Sequence, residues 1–170
     1  MPKIIENVRE QLLAEAKKQI LARGYSDTTI RSVAKACGLG VGTVYNYFES
    51  KEMLIATFVY EDWKRCLADM HQLPQNDPKQ LLGGIYHALK DFAAENEKLF
   101  LDSNAAKLAA IGSSDRHKML RDQIAALIYP ACHTENSAFT AQFLAEALIC
   151  WSMENADFET VYTLIEKIIK

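Results

Sequence analysis

The sequence predicts an all-α protein of about nine helices, and three observations support this fold class. Apolar residues recur at three- and four-residue spacing along nearly the whole chain, which is the periodicity of amphipathic helices. No segment shows the alternation of a half-buried strand, and no repeat of solenoid length occurs. Capping residues, glycines and prolines separate the periodic segments. The composition, 49% hydrophobic and 24% charged, is that of a globular protein.

The first two helices are bounded by glycines. An apolar stripe runs along the N-terminal segment and ends at Gly24, a residue suited to the end of a helix. Thr28 or Thr29 can cap the second helix, because a threonine side chain accepts a hydrogen bond from a free N–H of the first turn. The second helix is short and is expected to stop at Gly38.

The third and fourth helices follow after a short glycine-containing turn. The third is expected to begin near Gly42 and to turn Val44 and Phe48 inward. Ser50 can cap the fourth, which carries apolar residues over several turns and stops before Pro74.

The C-terminal part of the chain predicts five further helices. Asp77, Pro78 and Gln80 are a cap, a first-turn proline and a capping-box partner in the right order. Two glycines, Gly83 and Gly84, lie inside this helix and indicate close packing, a kink, or a later helix start. The five helical patterns cover about 78–95, 97–111, 115–129, 137–154 and 158–169, with Asp157 able to cap the last.

The stretch GLGVGTVYNYFESKEML, residues 38–54, allows two interpretations. A phosphate-binding glycine loop requires a buried strand before the glycines, but the preceding TTIRSVAKAC has helical periodicity. Two short helices joined by a glycine-containing turn are instead typical of a helix-turn-helix. The second interpretation explains more of the residues.

Charge is distributed unevenly along the chain. Residues 1–51 contain eight Lys and Arg against five Asp and Glu, a net +3, whereas residues 52–170 contain eleven against seventeen, a net −6. A basic N-terminal third is consistent with a module that binds a polyanion, carried by a body that does not.

The segment TTIRSVAKACGLGVGTVYNYFESKEML resembles the DNA-binding signature of the tetracycline-repressor (TetR/AcrR-like) family of bacterial transcription regulators. The resemblance covers about residues 5–60. It implies a homodimeric repressor that binds a palindromic operator in double-stranded DNA and responds to a ligand. The implied domains are a helix-turn-helix module at 1–50 and a ligand-binding and dimerisation module at 51–170, connected by a helix over 51–72.

The resemblance also assigns roles to individual residues. Thr29 and Arg31 would meet phosphates, and Arg31 could also read a base. Gly40, Val41 and Gly42 offer almost no side-chain hydrogen bonds, so direct readout would rest on few side chains. The implied DNA-binding residues are Thr29, Arg31, Val41, Gly42, Thr43, Tyr45, Asn46, Tyr47 and Lys51.

In the C-terminal body the resemblance implies a pocket for a small apolar or aromatic effector and a dimer interface formed by the last two helices. The candidate pocket residues are Trp63, Tyr86, Phe92, Phe100, Tyr129, Phe143 and Trp151, with His87, His117 and His133 as polar groups. The candidate interface residues are Phe139, Ala147, Trp151, Phe158, Tyr162 and Ile165. The alternative is that the same residues form the core and that the body docks a protein partner.

An enzyme, a metal site and a cofactor are not expected. Cys132, His133 and Glu135 are too close along one loop to form a nucleophile, its base and an orienting group. The four cysteines form no zinc-type spacing and are expected to be small buried hydrophobes. No apolar run reaches the ~18 residues of a membrane span, and the first residues lack a secretory signal, so a cytoplasmic location with no membrane partner is expected.

Overall fold

The computed structural model describes residues 7–103 and 113–169. These residues form nine α-helices and one 3-10 helix, with no strand among them, and the predicted all-α fold is confirmed. The helices are α1 (Val8–Asp27), α2 (Ile30–Ala36), α3 (Val41–Tyr45), α4 (Lys51–Met70), α5 (Pro78–Glu95), α6 (Glu97–Phe100), α7 (Ser113–Ile128), α8 (Ser137–Met153) and α9 (Phe158–Ile169), and the 3-10 helix is Tyr129–Ala131.

The described residues divide into two compact units. The N-terminal unit contains residues 7–63 and 96–103, and the C-terminal unit contains residues 64–95 and 113–169. This division differs from the predicted boundary after residue 50. The reason is that Leu54, Ile55 and Phe58 of α4, and Leu99 of α6, are buried in the same core as the first three helices.

The N-terminal unit is organised around the apolar stripe of α1. Leu12, Ala16 and Ile20 lie one turn apart on one face of this helix, and all three are buried. Gly24 interrupts the helix with a φ of +86°, a left-handed conformation that L side chains rarely adopt. The hydroxyl of Thr28 donates to the Gly24 carbonyl oxygen at 2.8 Å and satisfies this end of the helix.

Two helices of the C-terminal unit, α5 and α9, begin at the predicted caps. The amides of Lys79 and Gln80 donate to Asp77 Oδ1 at 3.0 and 3.1 Å, and the amide of Thr160 donates to Asp157 Oδ2 at 2.9 Å. In the predicted helix over 97–111, α6 ends at Phe100, and residues 104–111 lie outside the described part of the chain.

The two glycines of α5 allow close packing, one of the three possibilities that the sequence left open. A Cβ placed on Gly83 would lie 3.0 Å from the Phe158 ring of α9, and one on Gly84 would lie 2.5 Å from Leu73. Neither glycine is followed by a break, because α5 continues from Pro78 to Glu95. No helix in the described ranges is long and apolar enough to cross a membrane.

Candidate nucleic-acid interface

The turn between α2 and α3 depends on one glycine. Gly38 has a φ of +68°, and nothing lies within 4 Å of a Cβ placed there, so its backbone conformation rather than space requires glycine. The amide of Leu39 donates to the Ala34 carbonyl oxygen at 2.9 Å and closes the end of α2. The chain then enters α3 at Val41, and α2 and α3 pack against each other.

The remaining glycines of the turn are not required by the fold. Gly40 and Gly42 have no positive φ. A Cβ on Gly42 would meet nothing within 4 Å, and one on Gly40 would lie at an ordinary 3.8 Å from Thr43. Both residues are exposed, so α3 begins with bare backbone at the surface. A surface without side chains permits the close approach of another backbone.

Helix α3 and the segment that follows it divide their side chains between the core and solvent. Val44 and Phe48 are buried in the core of the N-terminal unit, as the sequence predicts. The other residues of this segment face solvent to different degrees. The exposed residues are Val41, Gly42, Tyr45, Asn46 and Tyr47, and Thr43 is half-buried.

The start of α2 is held by a capping box. The amide of Ser32 donates to Thr29 Oγ1 at 3.0 Å, and the amide of Thr29 donates to Ser32 Oγ at 3.0 Å. Of the two candidate caps, Thr28 and Thr29, the structure therefore uses Thr29. Arg31, one residue into the helix, is exposed, and Lys35 is exposed one turn later on the same helix.

Lys51 differs from the other predicted DNA-binding residues, because its ammonium group has a partner inside the unit. Its Nζ donates to the Tyr25 carbonyl oxygen at 2.6 Å and lies 3.7 Å from the centre of the Tyr25 ring. The Tyr25 hydroxyl donates to Glu52 Oε1 at 2.9 Å. These contacts connect the end of α1 to the first turn of α4.

Burial and hydrogen bonds shift the pKa values of Lys51, Tyr25 and Glu52. Desolvation lowers the pKa of Lys51, and the carboxylates of Glu52, Asp102 and Asp27 act in the opposite direction. Desolvation, and next the bond to Glu52, raises the pKa of Tyr25 well above its ordinary value. A backbone hydrogen bond, and then the bond from Tyr25, lowers the pKa of Glu52.

The nine predicted DNA-binding residues are thus all in the N-terminal unit, on α2, α3, the segment after α3, and the start of α4. Eight of them are exposed or half-buried, Thr29 among them as the cap of α2, and Lys51 contacts Tyr25. Their contact with DNA stays a prediction. Sequence reasoning did not identify Tyr25 or Glu52 as partners of Lys51, because 26 or more residues separate Tyr25 from either of them.

The structure divides the seven aromatic residues predicted to line a pocket between the two units, and they differ in burial. Trp63 and Phe100 belong to the N-terminal unit, and the other five to the C-terminal unit. Tyr86 is buried in the core of the C-terminal unit. Its hydroxyl proton is shared between the backbone carbonyl oxygens of Trp151 and Ala156. Phe92 is half-buried, whereas Tyr129, Phe143 and Trp151 are exposed.

The C-terminal unit has a surface cleft near Tyr86. Its volume is about 410 Å³, and among its lining residues are Tyr86, His87, Lys90, Asp157 and Phe158. His87 lies 5.9 Å from Phe158 between ring centres. Of the other two predicted histidines, His117 pairs with Glu146 at 2.8 Å, and His133 is exposed.

Two of the predicted interface residues are part of the core of the C-terminal unit. Phe158 is 9% exposed and Ile165 is 3% exposed, because this face of α9 packs against the unit's other helices. The exposed apolar side of α9 instead carries Leu164, at 63%, and Ile168. On α8, Phe139, Phe143 and Trp151 are exposed at four-residue spacing, and Ala147 between them is partly exposed.

The four cysteines differ in burial. Cys132 is buried and its Sγ contacts the Ile128 carbonyl oxygen at 3.7 Å. Burial raises the pKa of its thiol, whereas a nucleophile needs a lowered one. Cys37 and Cys66 are half-buried and Cys150 is exposed, so the expectation of buried cysteines is wrong for Cys150 and only partly met by Cys37 and Cys66. Within the described ranges, no three His, Cys, Asp or Glu side chains group as metal ligands.

Comparison with known proteins shows that the N-terminal unit is similar to bacterial transcription regulators. Residues 12–57 match the family described as bacterial regulatory proteins, tetR family. The chain is 32% identical over 60 residues to the HTH-type transcriptional regulator UidR of Escherichia coli strain K12, which covers 35% of this chain and 31% of UidR. It is 30% identical over 86 residues to the HTH-type transcriptional regulator TcmR of Streptomyces glaucescens, which covers 50% of this chain and 38% of TcmR.

The matched segments span about a third of these relatives' own length. A solved structure of a TetR/AcrR family transcriptional regulator from Thermobifida fusca YX-ER1 extends the similarity to most of the chain. It aligns with a TM-score of 0.63 over 95% of each chain, at 16% sequence identity. At this identity the alignment shows a shared fold.

Proposed function

We propose that the chain is a DNA-binding transcriptional regulator. It belongs to the tetR family of bacterial regulatory proteins, which its residues 12–57 match. Members of this family are regulators, not enzymes. The observation that carries the proposal is the exposed start of α3, where Gly40 and Gly42 are glycine without any requirement from the fold. The bare backbone is suited to the major groove, and Asn46 and Thr43 supply the polar side chains for base edges.

Few side chains on α3 and the segment after it are available to read bases directly. Asn46 can form a bidentate pair with adenine, and Val41 can contact a thymine methyl group. The exposed hydroxyls of Tyr45 and Tyr47 are suited to phosphates, which position the protein without specifying sequence. We therefore expect modest base specificity, with a contribution from DNA shape.

Selection of bound duplexes from a random pool tests the proposal. We expect a palindromic consensus, and Asn46→Ala should relax the preference at one position in each half-site at a cost of about 1–3 kcal/mol. The matched control is Asn76→Ala, at an exposed asparagine of the C-terminal unit, which should leave the consensus unchanged. A wild-type protein that enriches no sequence and binds no duplex at low salt would contradict the proposal.

A role for Lys51 in phosphate binding is compatible with its contact to Tyr25. The ammonium group has three donors, and the Tyr25 carbonyl oxygen uses one of them. Lys51→Ala should weaken binding equally on all duplexes and reduce the slope of log affinity against log salt by about one. An unchanged slope would mean that Lys51 binds no phosphate and serves only to connect α1 and α4 through Tyr25.

We propose that the regulator acts as a homodimer through α8 and α9. Exposed apolar residues follow four-residue spacing on both helices, at Phe139, Phe143 and Trp151 on α8 and at Leu164 and Ile168 on α9. Such rows favour burial against a second copy, and two-fold symmetry matches a palindromic operator.

Sedimentation at micromolar concentration tests the dimer. Phe143→Asp and Leu164→Asp should each shift the protein toward monomer, because they place a charge in an apolar interface. Met53→Asp, at an exposed apolar residue of the N-terminal unit, is the matched control and should leave the mass unchanged. A wild-type protein that sediments as a monomer would contradict the dimer.

We further propose that the protein is a repressor and that its C-terminal unit binds a small apolar or aromatic effector. The cleft at Tyr86, His87 and Phe158 is the candidate site in the described residues, since it combines aromatic rings with polar groups. The alternative is that the C-terminal unit docks a protein partner.

Thermodynamic reciprocity separates the two alternatives. A compound that raises the melting temperature is first identified, and its affinity is then titrated with and without operator DNA. An effector that weakens DNA binding 100-fold corresponds to a coupling of about 2.7 kcal/mol, and the operator must weaken effector binding by the same factor. Equal effector affinity in the two titrations would favour the protein partner.

A further inference from the structure

A buried amide joins α1 to the first turn of α2. Gln19 is 8% exposed. Its Nε2 donates to Glu15 Oε1 at 2.8 Å and to the Ser32 backbone oxygen at 3.2 Å. Its Oε1 accepts the Ser32 hydroxyl at 2.6 Å and the guanidinium of Arg23. Both donors and both acceptor positions of the amide are therefore used.

The partners determine which way the amide faces. An ionised carboxylate only accepts hydrogen bonds and a guanidinium only donates them. The nitrogen of Gln19 must therefore face Glu15, and the oxygen must face Arg23. The Ser32 hydroxyl lies on the oxygen side, where it acts as the donor.

Ser32 connects this amide to the cap of α2. The Ser32 side chain also accepts the Thr29 amide, and the Ser32 amide donates to the Thr29 side chain, each at 3.0 Å. The single hydroxyl proton of Ser32 has two acceptors in reach, Gln19 Oε1 at 2.6 Å and the Thr29 carbonyl oxygen at 2.8 Å. Through the shorter bond, Gln19 holds the residue that closes the capping box.

This matters for α2 because the helix is short. It has seven residues, and Ile30, Val33 and Ala34 are its buried ones. Apolar packing is non-directional, so contacts of this kind leave a two-turn helix some freedom to turn about its axis. Directional hydrogen bonds from a fully satisfied buried amide remove that freedom. Arg31 precedes Ser32 in the same turn, so the position of this turn determines where the Arg31 side chain extends.

We propose that Gln19 is a positioning residue for DNA binding, which holds the first turn of α2 so that Arg31 reaches the phosphate backbone. The inference rests on the proposed function, since it requires that Arg31 meets DNA. Gln19 is buried behind α2 and is assigned no contact with DNA of its own.

Affinity for the selected duplex is measured for Gln19→Met, which keeps the length of the side chain and removes the amide. All variants are compared at a temperature where circular dichroism shows them to be fully folded. Gln19→Met should weaken binding about tenfold, the order of magnitude expected when a buried polar partner is removed. The matched control is Gln11→Met, at an exposed glutamine of the same helix, which should bind as the wild type does.

A double-mutant cycle separates positioning from general destabilisation. In an Arg31→Ala background, Gln19→Met should cost little further affinity, because the contact that it positions is already absent. In an Asn46→Ala background the loss should remain about tenfold, since Asn46 follows α3 and is not held by the first turn of α2. A loss of equal size in both backgrounds would overturn the inference.

A second variant keeps the test informative if Gln19→Met folds poorly. Gln19→Glu retains an acceptor for Ser32 and loses the bonds donated to Glu15 and the Ser32 backbone, and it should weaken binding with the same dependence on Arg31. Wild-type affinity in a folded Gln19→Glu or Gln19→Met protein would overturn the inference and leave the proposed function standing. Failure of the wild type to bind any duplex would overturn the proposed function, and the inference with it.

Discussion

A buried ion pair connects α1 to α4 in the N-terminal unit and allows a quantitative prediction. Lys17 Nζ lies 2.7 Å from Asp62 Oδ2, and the two side chains are 24% and 5% exposed. At an effective dielectric constant near 20, the Coulomb attraction at this distance is about 6 kcal/mol. Desolvation of the two charges offsets most of that attraction, so the pair contributes little net stability relative to apolar residues.

Removal of one partner has a different cost. Lys17→Met leaves the Asp62 carboxylate buried without the ammonium group, and this should lower the free energy of unfolding by about 3 kcal/mol, at the low end of the range because water reaches Lys17. For a chain of this size the melting temperature should fall by about 6–12 °C. Lys17→Met combined with Asp62→Leu should return to within about 1 kcal/mol of the wild type.

Urea unfolding followed by circular dichroism measures these differences. The control is Lys18→Met, whose side chain is 78% exposed and 3.7 Å from Glu15, and which should change stability by less than about 0.5 kcal/mol. If Lys17→Met is no more destabilising than Lys18→Met, or if the double variant is as unstable as Lys17→Met alone, the reasoning about the buried charge is wrong.

Three further predictions concern packing, capping and pH. Gly84→Ala should destabilise the protein by about 1–3 kcal/mol in thermal melts, because its Cβ would lie 2.5 Å from Leu73; an unchanged melting temperature would mean that Leu73 moves aside freely. Thr29→Ala should cost about 1 kcal/mol and Thr29→Ser much less, because serine keeps the capping hydroxyl; equal losses would rule out the cap. The pKa of Glu52 is lowered on folding, so its stabilising contribution is present above its ordinary pKa of about 4.3 and is lost as the pH falls through the lower folded value. The free energy of unfolding, measured as a function of pH, should therefore fall less steeply in acid for Glu52→Gln than for the wild type. Identical acid dependence in the two proteins would contradict this assignment.

The sequence by itself determines where most helices begin and end. Gly24 and Gly38 have the positive φ angles that only glycine adopts freely. Gly38 follows the end of α2 as the sequence predicts, whereas Gly24 kinks α1 and the helix continues to Asp27. Ser50, Asp77 and Asp157 accept the amides of the first turns that they precede. These bounds can be predicted because a cap is a local interaction between residues two or three positions apart.

The helix-turn-helix is equally readable from the sequence. Its glycines, its inward residues Val44 and Phe48, and its exposed residues lie within one short segment, and periodicity alone separates the two sides. Resemblance to a known family then supplies roles that periodicity does not contain. The roles themselves stay predictions until DNA binding is measured.

Only the tertiary structure decides how helices with two apolar sides are oriented. In α8, Leu144 and Leu148 are buried while Phe143 and Trp151 are exposed, although all four are strongly apolar. The sequence could not distinguish these sides, because a helix that is apolar all round gives no direction to its periodicity. Helix α9 is amphipathic, and the structure shows that its apolar stripe, which includes Ile165, packs inside the unit rather than at the predicted subunit interface.

Long-range polar contacts are the other feature that only the fold decides. Gln19 and Ser32 are 13 residues apart, and Lys17 and Asp62 are 45 apart, and neither pair has a sequence pattern. On α1 the sequence predicts an apolar stripe, and it does not predict that Gln19 lies buried beside that stripe. The meeting of such groups depends on how one helix packs against another, and packing is a property of the assembled core rather than of any segment.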